Sequence, residues 1–279
     1  MGSLVIIIKG MFWQEQRNGR VFMGYLLGFA IMGYWMSGFL RYAADTGEPI
    51  NILETFCVVE QHYVNLLFLV LGWLLVVADV PFMKGNLYLL LYRCGRKRWN
   101  MGMLFYIFMQ AFLYTAAMAA FSIIVSSFWG FPGDMWSSPV YALALDVGNN
   151  IGVKYNITFP WLEMMRTMSV PQAFAVTFLL LYLYLAFLGA LLYTMALLFQ
   201  GTVGIVVVMG THLTGYLQMM DGHIATSLLA RAVPGNFIDG ASGYWMSVIL
   251  FLTLLIVLII LSSVLVKEIE FHSETEAEG

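Results

Sequence analysis

Charge is what this sequence has least of: Asp, Glu, Lys and Arg make up 10% of its 279 residues, against roughly a quarter in soluble domains. With 61% hydrophobic residues and a mean hydropathy of +0.83, the chain is expected to be an integral membrane protein. Cysteine is nearly absent. Cys57 and Cys94 fall in segments expected on opposite sides of the bilayer, and no Cys/His cluster has metal-ligand spacing, so neither a disulfide framework nor a zinc site is expected. No G-x-x-x-x-G-K-[ST] stretch occurs, so the loop that cradles the phosphates of ATP is missing. G-x-S-x-G and H-E-x-x-H are missing too, which leaves a membrane-embedded enzyme without a catalytic set. The apolar start "LVIIIKGMFW" has no basic flank before it and no small-residue site after it, so a cleavable signal peptide is not expected. A net charge of -3 with clustered cations argues against nucleic acid as a partner.

What is present is a series of apolar runs. A crossing needs about 20 mainly apolar residues to pass roughly 30 Å of hydrocarbon. Six stretches qualify: 21–40, 63–80, 101–128, 171–198, 203–220 and 244–266. The expected fold class is therefore an all-α polytopic membrane protein, with a single transmembrane domain over 1–266 and an acidic, solvated tail over 267–279. If both termini are cytoplasmic, the inner segments hold Lys9, Arg17, Arg20, Lys84, Arg93, Arg96, Lys97, Arg98 and Lys267, and the outer ones hold only Arg41, Lys154, Arg166 and Arg231. The positive-inside rule favours that orientation. The N-terminal stretch before Val21 reads as an interfacial helix. The aromatic loop 129–170 predicts short helices at the headgroup level, through Trp129, Trp136, Tyr141, Tyr155, Phe159 and Trp161. The Pro- and Gly-broken segment 224–243 predicts a short or re-entrant helix before the sixth span.

The densest charge lies in "RCGRKRWNMG", where Arg93, Arg96, Lys97 and Arg98 fall within six residues. Such a knot either flanks a span at an anionic lipid surface or presents a docking face. Pro81 ends the second span, "LYLLLY" has the apolar content of a short surface helix, and Gly95 breaks it before the charges.

This order of parts resembles the permease subunits of type-2 bacterial ATP-binding-cassette transporters. The block "ADVPFMKGNLYLLLYRCGRKRWNMGMLFYI" is similar to one found in uncharacterised Gram-positive permeases, matching at Asp79, Pro81, Phe82, Arg93, Gly95, Arg96, Trp99, Tyr106 and Ile107. "WSSPVYALALD" and "SVPQAFAVTFLL" extend the likeness over most of the chain, while Ala78 and Met103 depart from it. The resemblance implies a cytoplasmic coupling helix between spans two and three, with Asp79, Pro81, Leu90, Leu91, Arg93, Gly95, Arg96, Lys97, Arg98 and Trp99 as coupling and docking residues. It implies a permease, an exporter by analogy, in a bacterial plasma membrane. Its partners would be separate ATPase subunits carrying ATP and Mg, a second permease subunit (identical or different) and membrane lipid, and this chain would bind no cofactor. The competing reading is a non-transporting sensor or immunity subunit that docks an ATPase.

Other positions carry two readings each. Asp79 is expected to cap the turn before "PFMKGN" or to pair with Lys84 or Arg93. His212, beside Thr211 and Thr214, is either a helix-to-helix hydrogen bond or part of a proton or substrate path. Glu60, Gln61 and His62 either line a substrate entrance or solvate a helix end. Gly24 and Gly28, followed by Gly33 and Ser37, mark a close helix contact, within the chain or between two subunits.

Overall fold

The structure, a computed structural model, describes residues 19–80, 95–146, 150–158, 162–199, 203–237 and 243–268. In chain order its elements are α1 (Gly19–Thr46), β1 (Ile50–Asn51), α2 (Glu54–Glu60), α3 (Tyr63–Val77), α4 (Arg96–Ser126), β2 (Gly130–Phe131), α5 (Ser138–Ala144), α6 (Asn150–Tyr155), α7 (Leu162–Thr167), α8 (Val170–Phe199), α9 (Val203–Met220), α10 (Leu228–Ala232), a 3-10 turn (Pro234–Phe237) and α11 (Gly243–Glu268). In an apolar surrounding each backbone group needs an internal partner, and a helix supplies one within a single segment. Accordingly α1, α4, α8, α9 and α11 are each long and apolar enough to cross a membrane. A sixth crossing exists if α2 and α3, bent by 93° at Gln61–His62, count as one. The expected interfacial helix before residue 19 and the tail from 269 lie outside the described residues.

Helix α8 is the centre. Its most apolar window is 78% buried, against 28% for α1 and for α11, and it packs on α11, α9 and α4. The outer helices turn Phe22, Phe105, Phe112, Ile249, Ile256 and Ile260 away from the core, as expected for faces solvated by lipid tails. Helix α1 lies along α3. Their backbones meet at Gly24 and Gly72: a Cβ on Gly24 would come within 2.7 Å of the Gly72 carbonyl oxygen. The Tyr114 hydroxyl fills the space beside Gly28 and Gly72 and donates to the Leu69 carbonyl at 3.1 Å. The small-residue spacing of Gly24 and Gly28 is thus used within one chain.

Several expected boundaries change, and α1 runs on to Thr46, six residues past the expected Leu40. Helix α4 begins at Arg96, five residues before the expected Met101, because Gly95 with φ +75° turns the chain there. Helix α3 stops at Val77, and α2 crosses it instead of continuing it, because His62 at the junction has extended backbone (ψ 104°). Helix α11 runs through Lys267, which the sequence had assigned to the solvated tail.

At the end where α1 finishes and α4 finishes, β1 and β2 pair in parallel, Ile50 opposite Gly130 and Asn51 opposite Phe131. The 129–170 connection carries α5, α6 and α7. Its aromatics divide: Trp129 and Tyr141 are exposed, but Trp136 is buried and donates from Nε1 to the Met168 carbonyl at 2.9 Å. Trp136 therefore belongs to the interior and not to a headgroup belt. Phe159 and Trp161 lie outside the described residues.

Candidate functional site

The basic end of the bundle starts from one glycine. Gly95 caps α4, so Arg96, Lys97 and Arg98 stand exposed in the first turn of that helix. No acidic residue shares the turn. Cations at a helix N-terminus oppose the macrodipole, which is worth about 0.3 to 1 kcal/mol per charge, so helix stability does not account for their position. Arg96 finds compensation at another helix's negative end, where its guanidinium donates to the Lys267 carbonyl of α11 at 2.8 Å.

One turn onward the side chains face inward. Trp99 is 1% exposed and meets Tyr193 of α8 edge-on at 6.1 Å. Asn100 donates to Ser263 Oγ at 3.1 Å and accepts from the Tyr193 hydroxyl at 2.8 Å. These bonds join α4, α8 and α11. Trp99, expected on a docking surface, is a core residue.

Asp79, just past α3, forms an ion pair with Arg20 at the start of α1. The sequence reading had offered Lys84 or Arg93 as its partner; those two, with Pro81, Leu90, Leu91 and Cys94, lie outside the described residues. Segment 81–94 is thus flanked on one side by a tether to α1 and on the other by a tether to α11.

The interior holds the other candidates. His212 of α9 is fully buried, with Nε2 3.1 Å from the Leu67 carbonyl and Nδ1 2.7 Å from the Tyr184 hydroxyl. A carbonyl can only accept, so Nε2 carries the hydrogen and Nδ1 accepts from Tyr184. Both ring nitrogens are occupied, and His212 acts as a pin between α3, α8 and α9. The open side of α9 belongs instead to a cleft of about 320 Å³ lined by Thr211, Thr214, Gly215, Gln218, Thr226 and Leu228.

Glu60, Gln61 and His62 are not a solvated mouth. Glu60 is 3% exposed and accepts one hydrogen bond, from Asn65 Nδ2 at 3.2 Å. Gln61 accepts from the Gly235 amide at 3.2 Å, which docks the 3-10 turn on the α2–α3 corner. The His62 ring lies against Trp35, centroids 3.8 Å apart. Cys57, on the same helix, is fully buried, so its thiol is closed to a reagent added from either side.

Sequence reasoning missed Glu54, the strongest polar node at this end. Its carboxylate accepts from the Asn51 amide at 3.0 Å, from the Ser137 amide, and from Ser137 Oγ at 2.7 Å. Asn51 Oδ1 in turn accepts from the Leu53 amide at 3.1 Å. The Asn51-x-x-Glu54 spacing is that of a capping box and was a readable signal; Ser137, 83 residues on, was not. Arg20 was likewise missed as the partner of Asp79.

Among the described residues no cluster of three or more His, Cys, Asp or Glu side chains could hold a metal ion. Compared with models of known families, with curated proteins and with solved structures, the chain has no match.

Proposed function

We propose that this chain is the membrane-spanning permease subunit of a type-2 ATP-binding-cassette transporter, an exporter with six crossings and both termini cytoplasmic in a bacterial plasma membrane. It works as one of two permease subunits with two ATPase subunits, which carry ATP and Mg²⁺. The observation that supports this most is the exposed Lys97–Arg98 pair, placed against its own helix dipole within the block 78–107, where Asp79, Pro81, Phe82, Arg93, Gly95, Arg96, Trp99, Tyr106 and Ile107 carry the resemblance to such permeases. Charge that weakens its own helix is accounted for by something anionic outside it.

In this reading the ATPase docks on 81–98, with Leu90 and Leu91 as apolar anchors and Arg93, Arg96, Lys97 and Arg98 orienting the complex. Movement of the docked segment is handed to α1 through Asp79–Arg20 and to α11 through Arg96. Cargo contact is assigned in this reading to the cleft on α9, where Thr211, Thr214 and Gln218 stand among apolar surface. Central interface anchors cost about 2 kcal/mol or more when truncated, whereas exposed ion pairs are worth roughly 0 to 1 kcal/mol. Leu90→Ala or Leu91→Ala should therefore release the ATPase and abolish ATP-dependent flux in vesicles. Lys97→Ala should weaken capture slightly, and more so at high salt. An ATPase that co-purifies equally with all variants, including one lacking all four cations, would end the docking reading, as would ATP hydrolysis by the isolated chain.

A further inference from the structure

Helix α2 carries a buried carboxyl at each end, and its surroundings meet the two differently. Glu54 is fully buried but receives three donors, distributed over both oxygens. Such a set matches an ionised carboxylate, which only accepts. Glu60 is just as enclosed but receives one donor, Asn65 Nδ2, and no lysine or arginine among the described residues pairs with it. The same Asn65 is 0% exposed, and its Oδ1 is buried with no hydrogen-bond partner among the described residues. That oxygen shares an amide with the Nδ2 that touches Glu60. A carboxyl short of donors therefore lies next to a carbonyl oxygen short of a donor, each of which is strongly disfavoured away from water.

One proton resolves both. We propose that Glu60 and Asn65 form a closed acid–amide pair and a proton-binding site: at neutral pH Glu60 Oε2 carries a proton and donates it to Asn65 Oδ1, while Asn65 Nδ2 donates to Glu60 Oε1. The ligand is H⁺ alone. A hard metal cation would need about six oxygens, and the pair offers three. The titratable neighbours leave that balance unchanged. On α2 they are Glu54 and Cys57, and His62 follows at the corner, its ring tilted against Trp35. From α4, Tyr114 lies within the field of Glu60, with Tyr25 of α1 behind it, and its hydroxyl is already given to Leu69. Helices α8 and α9 bring Tyr184 and His212, bonded to each other, and Arg231 of α10 donates to the Ala225 carbonyl.

The pair bridges the 93° corner, with Glu60 ending α2 and Asn65 in the first turn of α3. Loss of the proton sets acceptor against acceptor there and loosens the joint. This site involves neither ATPase nor cargo and stands apart from the transport reading.

The test is infrared spectroscopy and thermal unfolding of the purified full chain in lipid nanodiscs. At neutral pH the wild type should show a protonated-carboxyl carbonyl band that is lost on alkaline titration, is absent from Glu60→Gln and shifts in Asn65→Leu. The folded chain keeps a proton that the unfolded chain has released, so wild-type melting temperature should fall as pH rises until the folded chain releases it too. Glu60→Gln, whose amide can donate to Asn65 Oδ1, should stay flat over that range. Should Glu60→Gln not fold, the wild-type band and its alkaline loss still decide. No such band at neutral pH, a band indifferent to Asn65→Leu, or a melting temperature that follows sodium or potassium and not pH would each overturn the proposal.

Discussion

At the basic end Lys97 and Arg98 stand exposed and Arg20 meets Asp79 with each side chain about a quarter exposed (24% and 23%). At the opposite end, Glu54 and Glu60 are shut inside, among Ser137, Asn51 and Asn65. The first region keeps its charges in reach of solvent, where they cost little and contribute little to folding. The second hides polar groups where each must find a partner or be neutral. Charge at the basic end is therefore available for recognition, and polarity at the far end holds the fold together. The tethers follow the same division. Arg20–Asp79 and Arg96–Lys267 join helix ends at a surface, while Tyr114–Leu69 and Tyr184–His212–Leu67 join helices in the buried interior.

The largest effect is expected where no polar group can compensate. Gly72→Leu drives a side chain into the Gly24 carbonyl and the Tyr114 hydroxyl, and should cost about 3 kcal/mol through overpacking. Loss of the monodisperse peak in size-exclusion chromatography would show it, and a normal profile would remove the α1–α3 seam as the key packing contact.

Next come the two carboxyls, which sharpen the contrast within the far end. Glu54→Gln turns an N–H₂ group against donors from Ser137 and Asn51, and should destabilise by about 2 kcal/mol, the cost of stranding a buried polar group. Glu60→Gln at neutral pH should do no such harm. Equal losses in thermal unfolding for the two variants would erase the distinction. His212→Leu, which strands the Tyr184 hydroxyl, should cost about 0.6 to 2 kcal/mol, in the range of hydrogen bonds between membrane helices. A rescue by His212→Gln would support a pin; an unchanged melting temperature with lost flux would speak for a path.

The smallest effects belong to the basic end. Arg20→Ala should lower stability by at most about 1 kcal/mol, less in high salt. Lys97→Ala with Arg98→Ala should leave stability level or raise it by a few tenths of a kcal/mol, because two charges opposing the dipole are gone. A large destabilisation by that pair would mean the cations hold the fold, and the comparison between the two ends would fail.

Much of this was open to reading from composition and pattern. Apolar runs placed the helices Val170–Phe199, Val203–Met220 and Gly243–Glu268 to within about two residues, because length and hydropathy alone decide whether a segment can live in hydrocarbon. The start of α4 was misread because charges suggested a loop, whereas a helix tolerates cations in an exposed first turn. The broken α2–α3 corner was not legible either: "EQHY" looks like a polar helix end, and only its packing against the 3-10 turn, Trp35 and Asn65 shows why the chain bends there.

By itself the sequence determined that this chain is helical and suited to a membrane, and where its cations cluster, since those properties are sums over local side-chain chemistry. The tertiary structure alone decided which polar residues are used and how. His212 became a pin because Leu67 and Tyr184 arrive from other helices. Gly28 serves an internal seam because Tyr114 reaches it from α4. Glu54 and Glu60, alike in the sequence, differ because Ser137 comes to one and not the other. A buried polar group takes its state from its nearest donors, and those are set by packing across distances that sequence spacing does not encode.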